Sequence, residues 1–164
     1  HSSYVWEDRL TPALALDAAD GRPRPLRPFR APVAAASLYT TAADYARFLA
    51  ATLADEALLA QIAESPVVVD PGLGLAWGQG WGIERTDADR YLWQWGNNPG
   101  YRAFAMASPR AGSGFVLLTN SDRGLRLAEP VARAVLPDVH RVFRFGAVRE
   151  VAWAWLCDTL GVCL

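Results

Sequence analysis

Lysine is absent. All 16 basic residues of the 164-residue chain are arginine. A phosphate-loop lysine, a Schiff base and a Ser-x-x-Lys nucleophile pair are therefore all excluded from this chain. Cysteine and histidine are scarce. Cys157 and Cys163 sit close together near the C-terminus, whereas His1 and His140 lie far apart. Neither C-x-x-C nor H-x-x-x-H spacing occurs, so no metal site is expected and no cofactor is implied. Six positions along an unbroken helix hold two Cα atoms too far apart for a disulfide. The two cysteines either bond across a break at Gly161, in an exported chain, or serve as small buried hydrophobes. Charge of one sign is also lacking: 17 acids against 16 bases leave a net −1. Neither nucleic acid nor an anionic membrane surface is an expected partner. No apolar run reaches the ~20 residues that span a bilayer; the longest, Val151 to Leu164, is interrupted by Asp158 and Thr159. No membrane span is expected. The chain opens His1-Ser2-Ser3 without an initiator Met or the basic and apolar regions of a signal peptide.

What is present suits a folded core: 52% hydrophobic residues, 20% charged residues and 7 Trp. Residues 1–36 read as an irregular Pro/Arg-rich wrapping segment, because proline removes backbone donors and extends its predecessor. Residues 37–66 read as helical. Thr40 or Thr41 caps a helix bearing Tyr45, Phe48, Leu49, Thr52 and Leu53 at helical spacing, and a shorter helix runs from about Glu56 to Glu64. Residues 67–137 read as antiparallel strands with a packing helix. Leu73 to Ile83 gives one or two bent strands, followed by Tyr91–Trp95, Tyr101–Ala107 and Gly114–Thr119, then a helix ending near Pro137. Residues 138–164 form a C-terminal extension with a helix over Val148 to Leu160. The class is α+β, with three to four antiparallel strands and flanking helices.

The distinctive segment is Trp93-Gln94-Trp95-Gly96-Asn97-Asn98-Pro99-Gly100-Tyr101. A strand ending in glycine and two asparagines exposes backbone N–H groups with little side-chain obstruction, which suits a carbonyl oxygen or oxyanion. An ordinary hairpin corner uses the same residue types, and the spacing alone leaves both readings open.

From Ala34 onward the sequence resembles the C-terminal half of the serine β-lactamase-like family: class C β-lactamases, D-alanyl-D-alanine carboxypeptidases, D-aminopeptidases and related esterases. Ser37-Leu38-Tyr39-Thr40-Thr41-Ala42-Ala43-Asp44-Tyr45-Ala46-Arg47-Phe48 is similar to the family's "GGL-STA-DLARF" helix start. Leu73-Gly74-Leu75-Ala76-Trp77-Gly78 and Trp81-Gly82-Ile83 resemble its "YGLGW" strand. Gln94 to Tyr101, then Pro109, then Val116-Leu117-Leu118-Thr119-Asn120 resemble its Lys-Thr-Gly or His-Gly-Gly strand and the hairpin and strand after it. The resemblance implies the C-terminal part of a β-lactamase/transpeptidase-like fold. It also implies a serine that attacks a carbonyl, with Ser-x-x-Lys, Tyr-x-Asn and a Lys-Thr-Gly-type strand as the three motifs.

The departures are large. Without lysine there is no Ser-x-x-Lys, and no tyrosine is followed two places on by Asn or Ser. Both motifs precede the third in the family, so the resemblance implies a fragment or half-molecule whose nucleophile lies on an N-terminal half, in the same or a separate polypeptide. Such a chain is inactive alone. Either Gln94-Trp95-Gly96 or Trp95-Gly96-Asn97 fills the third motif, and the oxyanion N–H falls to Asn97 in the first register and Asn98 in the second, with Asn97 preferred. Trp95, Gly96 and Asn97 are the candidate catalytic residues; Gln94, Asn98 and Tyr101 are candidate substrate contacts. The missing cation favours a neutral ester or amide over a carboxylated antibiotic, Arg102 being expected to point at solvent. Family habit implies a periplasmic or secreted location.

The rival reading is a non-catalytic binding module on a decayed scaffold of the same family; a further one pairs an exposed sheet edge with a second copy. Trp77, Trp81 and Trp93 are expected in the core or lining a groove. Ser37 is expected at a helix start and Ser113 in a turn. His140 is expected on the surface, and Asp87 and Asp89 in a solvated turn.

Overall fold

A computed structural model of the chain describes residues 2–8, 10, 14–15, 22–25, 28–136 and 138–149. The expected helix over Val148 to Leu160 and the cysteine pair lie almost wholly outside the described residues.

Two helices come first, α1 (Ala42–Ala54) and α2 (Glu56–Ala63). Thr41 opens α1 by accepting the Asp44 N–H at 3.1 Å, satisfying one of the donors a helix start leaves unpaired. Asp55 closes α1 and opens α2, its carboxylate accepting the Leu58 N–H at 2.9 Å. Six strands come next: β1 (Val67–Asp70), β2 (Leu75–Trp77), β3 (Gly82–Arg85), β4 (Arg90–Asn98), β5 (Tyr101–Ser108) and β6 (Ser113–Thr119). They pair antiparallel in the order β1-β2-β3-β4-β5-β6, a meander in which each strand lies beside its neighbour in sequence. A 3-10 turn, Gly124–Leu127, leads into α3 (Ala128–Val135).

The sheet holds six strands, against the three to four expected from the sequence. Leu73 to Ile83 folds back on itself at Gly78–Trp81, where the Gly78 N–H donates to the Trp81 carbonyl, so one glycine-rich stretch yields both β2 and β3. Val67–Asp70 adds an edge strand with Val67 and Val68 mostly exposed. A valine run without alternation gives no sequence signal for a half-buried strand.

Alternation along the strands sorts the core into two layers. Tyr91, Trp93, Phe104, Met106 and Phe115 face the Gly124–Leu127 turn, α3 and Val142. Ala76, Ile83, Leu92 and Ala107 face the other way, onto Leu49 of α1 and Ile62 of α2. Helices thus cover both faces of the sheet. Trp93 is fully buried and lies against the backbone of Gly82, where a Cβ would collide with the indole. Trp77 meets its ring edge-on at 5.5 Å. The expectation for Trp77, Trp81 and Trp93 therefore holds: the last two are buried and Trp77 packs against the core.

His140 is buried, contrary to its expected place in a surface loop. Its Nδ1 lies 2.9 Å from the fully buried carboxylate of Glu84 on β3, which also accepts the backbone N–H groups of Arg141 and Val142. A polar side chain taken from water needs such partners, and Glu84 supplies one for the His140 Nδ1. Tyr91 meets the imidazole edge-on at 4.6 Å, and its phenol lies beside Asp138, whose carboxylate accepts the Thr86 hydroxyl at 2.6 Å. Asp89 is likewise drawn in, accepting from Ser108 and from the Arg90 N–H rather than facing solvent. Together these bonds fasten residues 138–142 to the β3–β4 end of the sheet.

This cluster makes two predictions. Glu84→Ala leaves two N–H groups and an imidazole buried without an acceptor; it is expected to cost about 3 kcal/mol or more of stability in urea unfolding, and Glu84→Gln less. Burial first, then the neighbouring Asp138 and Asp89, push the Tyr91 phenol up to about 12. The unfolded phenol ionises near ~10, so the folded form alone keeps its proton between the two values. Stability contributed by Tyr91 is complete below pH ~10 and is lost as pH rises towards 12. The phenolate absorbance difference between the wild type and Tyr91→Phe is expected to have its midpoint near 12; a midpoint near 10 refutes this.

Candidate functional site

β3 is four residues long and β4 is nine. Pairing between them ends at Gly82↔Trp93, so among the described residues no strand accompanies Gln94–Asn98 on that side. On the other side β5 pairs with the full stretch, down to Asn98↔Tyr101. Pro99 and Gly100 make the connection, with Gly100 at φ +79°. That conformation suits glycine at the second central position of a Pro-Gly turn.

Antiparallel geometry then fixes where each backbone group points. A two-residue connection makes Asn98↔Tyr101 a hydrogen-bonded pair, so Gly96↔Ala103 and Gln94↔Ala105 are hydrogen-bonded pairs as well. Trp95 and Asn97 fall between them and direct N–H and C=O away from β5, towards the open side. The same phase runs through the rest of the sheet: the Arg85 N–H donates to Gly74 at 2.9 Å and the Trp81 carbonyl accepts from the Gly78 N–H at 2.8 Å, so both the Arg85 N–H and the Trp81 C=O are directed away from β4. The Trp95 N–H is taken up locally by the Gln94 side-chain oxygen at 3.1 Å, while the Gln94 amide donates to the Gly80 carbonyl at 2.9 Å. The Asn97 N–H is left aimed outward, and the Asn98 N–H points back into the ladder.

The side chains divide by the same alternation. Trp95 is half-buried and packs against the α3-side core, so its indole is an apolar support. Gly96 is half-buried, and a Cβ there would sit 3.3 Å from the Ala103 Cβ. Asn97 is exposed and lies opposite Arg102. Asn98 donates from its side-chain amide to the Ala36 carbonyl at 2.9 Å, tying the corner to the segment before α1. Tyr101 is half-buried, and its carbonyl accepts from Arg102.

Arg102 does not point at solvent, contrary to expectation. It is 9% exposed, tucked behind the corner. Its guanidinium donates to the Asn98 carbonyl at 2.7 Å and the Tyr101 carbonyl at 2.9 Å, and pairs with Asp122 at 2.8 Å. Burial pulls its pKa down and the Asp122 carboxylate opposes that pull; the guanidinium stays charged. Asp122, which no sequence pattern singled out, also accepts the Gly100 N–H at 2.9 Å and pairs with Arg24 at 2.8 Å. The inward aim of Arg102 is legible only once the register places it on the Trp95 and Phe104 side of the sheet. The N-terminal segment lies over the same corner: Ala15 packs against Gly100, and the Asn120 side chain donates to the Leu14 carbonyl at 2.7 Å.

Ser37 is buried and does not start a helix, a role that falls to Thr41. It accepts from the Val33 N–H and donates to the Tyr4 carbonyl. Ser113 begins β6 opposite Ser108. A groove of about 1010 Å³ is lined by Leu117, Thr119, Leu125, Phe143 and Val148 and includes no residue of the Gln94–Tyr101 corner. Among the described residues no three His, Cys, Asp or Glu side chains gather as a metal site, and no helix is long and apolar enough to cross a membrane.

No curated protein and no solved structure matches the chain significantly. The family model described as Beta-lactamase does, over residues 4–139, beginning some way before Ala34, where the resemblance in sequence starts. The matched span takes in the whole meander, α1, α2, α3 and the corner. This chain belongs to the beta-lactamase family and has a serine-hydrolase-like scaffold.

Proposed function

We propose that the chain is the C-terminal portion of a serine hydrolase that cleaves an ester or amide through an acyl-enzyme, with Trp95, Gly96 and Asn97 forming the oxyanion side of its site. One observation carries the reading: the register aims the Asn97 N–H out of an unaccompanied stretch of β4. A serine oxygen attacks the substrate carbonyl carbon, and its proton passes to a base beside it. The carbonyl oxygen becomes an oxyanion and accepts the Asn97 N–H, fixed in place before the reaction begins. Collapse expels the alcohol or amine, which takes up the proton, and water then hydrolyses the acyl-enzyme. With no lysine in the chain, Ser-x-x-Lys and Tyr-x-Asn belong to an N-terminal half, and this chain is inactive alone.

A neutral, small ester or amide is the substrate class. Gln94 and Trp95 stand where a cation would grip a carboxylate, and Arg102 is already engaged by Asp122 and two carbonyls. Gln94, Asn98 and Tyr101 flank the open edge as substrate contacts, the first two after release from Gly80 and Ala36. A periplasmic or secreted location belongs to the same reading.

The test is a serine-reactive fluorophosphonate followed by intact mass. The chain alone is expected to take no label, whereas the half carrying the nucleophile is labelled when the two are together. Asn97→Pro removes the N–H but no ladder hydrogen bond, so the fold tolerates it, and labelling is expected to slow by about 10²–10³. A label on the 17.9 kDa chain itself overturns its inactivity. Absence of label from the assembled halves favours the non-catalytic binding module.

A further inference from the structure

The Arg102–Asp122 pair has more contacts to the Asn98–Tyr101 turn than a surface ion pair requires. Arg102 holds two carbonyls of the turn, those of Asn98 and Tyr101, while Asp122 holds its Gly100 N–H. The two side chains are joined at 2.8 Å, and Arg24 of the N-terminal segment reaches the other oxygen of Asp122 at 2.8 Å. Three backbone groups of one tight turn are thus bound from behind by a buried guanidinium and a partly buried carboxylate that depend on each other. Ala15 and Arg24 also close over Gly100, where a Cβ would collide with the Ala15 methyl group. Exposed ion pairs contribute little, but this one is largely screened from water and acts through charge-assisted bonds to backbone.

We propose that Arg102 and Asp122, braced by Arg24, are positioning residues that hold the Asn98–Tyr101 turn and thereby fix the direction of the Asn97 N–H. The carboxylate-binding cation lost from the third motif is therefore not replaced by Arg102, whose charge serves the corner's shape. The consequence for catalysis rests on the oxyanion role proposed for Asn97; the bracing of the turn does not.

Residue-resolved amide exchange of the 164-residue chain tests the bracing. Asp122→Ala is expected to speed exchange at Gly100 by about tenfold or more, leaving Ile83 and Phe115 in the sheet unchanged. Asp122→Asn keeps an acceptor for that N–H and is expected to give a smaller acceleration. Exchange at Gly100 unchanged in Asp122→Ala overturns the proposal. If that variant does not fold, Asp122→Asn decides, and a Gly100 amide no faster than wild type overturns it. In the assembled hydrolase, Arg102→Lys keeps the charge but cannot hold both carbonyls and the carboxylate. Its labelling rate is expected to fall about tenfold with the half-saturating probe concentration unmoved, and a wild-type rate overturns the catalytic consequence. A wild-type hydrolase that takes no label refutes the proposed function, while the Gly100 exchange still decides the bracing.

Discussion

The candidate site depends on one mismatch in length: β4 outruns β3 by several residues. A backbone N–H or C=O must find a partner in the protein or in water. Over Arg90–Trp93 the ladder to β3 provides it; beyond Trp93 one half of the groups on β4 meet no strand among the described residues. Gln94 resolves part of the deficit by turning its own amide onto the Trp95 N–H and the Gly80 carbonyl. Asn97 is the next position in the same phase, and among the described residues no side chain takes its N–H in the same way. An edge of this kind is a liability in an ordinary sheet. Here it is short, ends in a tight turn and is flanked by polar side chains, which makes it suited to one carbonyl oxygen and poorly suited to a whole extra strand.

That edge keeps its direction only because the rest of the sheet cannot slip. A shift of one residue would exchange the two faces of every strand, placing Trp93 on the α1 side and Leu92 on the α3 side. Trp93 fits against Gly82, where the missing side chain leaves room for the indole. At the far end, Glu84, Tyr91 and His140 make a second, polar registration point. Between these two anchors the phase of β4 is determined, and the orientation of the Asn97 peptide is set with it.

Much of this was legible in the sequence, and the reasons for the rest are specific. Helix α1 announces itself through Thr41 and its apolar spacing, α2 as a short helix that must stop before Pro66, and β4 to β6 through aromatic and apolar runs cut by Gly, Asn and Pro. Val67–Asp70 was not legible, because exposed valines on an edge strand carry no alternation. His140 and Arg102 were misplaced for a common reason. Polarity alone assigns both to the surface, and only partners distant in sequence, Glu84 for one and Asp122 for the other, make their burial tolerable. Asp122 had no sequence signal at all, since an acid after a strand end reads as a solvated turn. The choice between the Asn97 and Asn98 N–H groups likewise turns on three-dimensional pairing rather than on residue type.

The meander also orders events in time. Every strand pair joins neighbours in the chain, so the sheet closes through short loops with small entropy costs. The N-terminal contacts are of another kind: Asn98 reaches Ala36 across 62 positions and Asn120 reaches Leu14 across 106. Large loops close late and at greater entropic cost, so the hairpins assemble before the N-terminal segment seals the Pro99–Gly100 turn. During refolding, protection of the β4 and β5 amides should precede formation of the Asn98–Ala36 and Asn120–Leu14 bonds, and the corner reaches its working shape last.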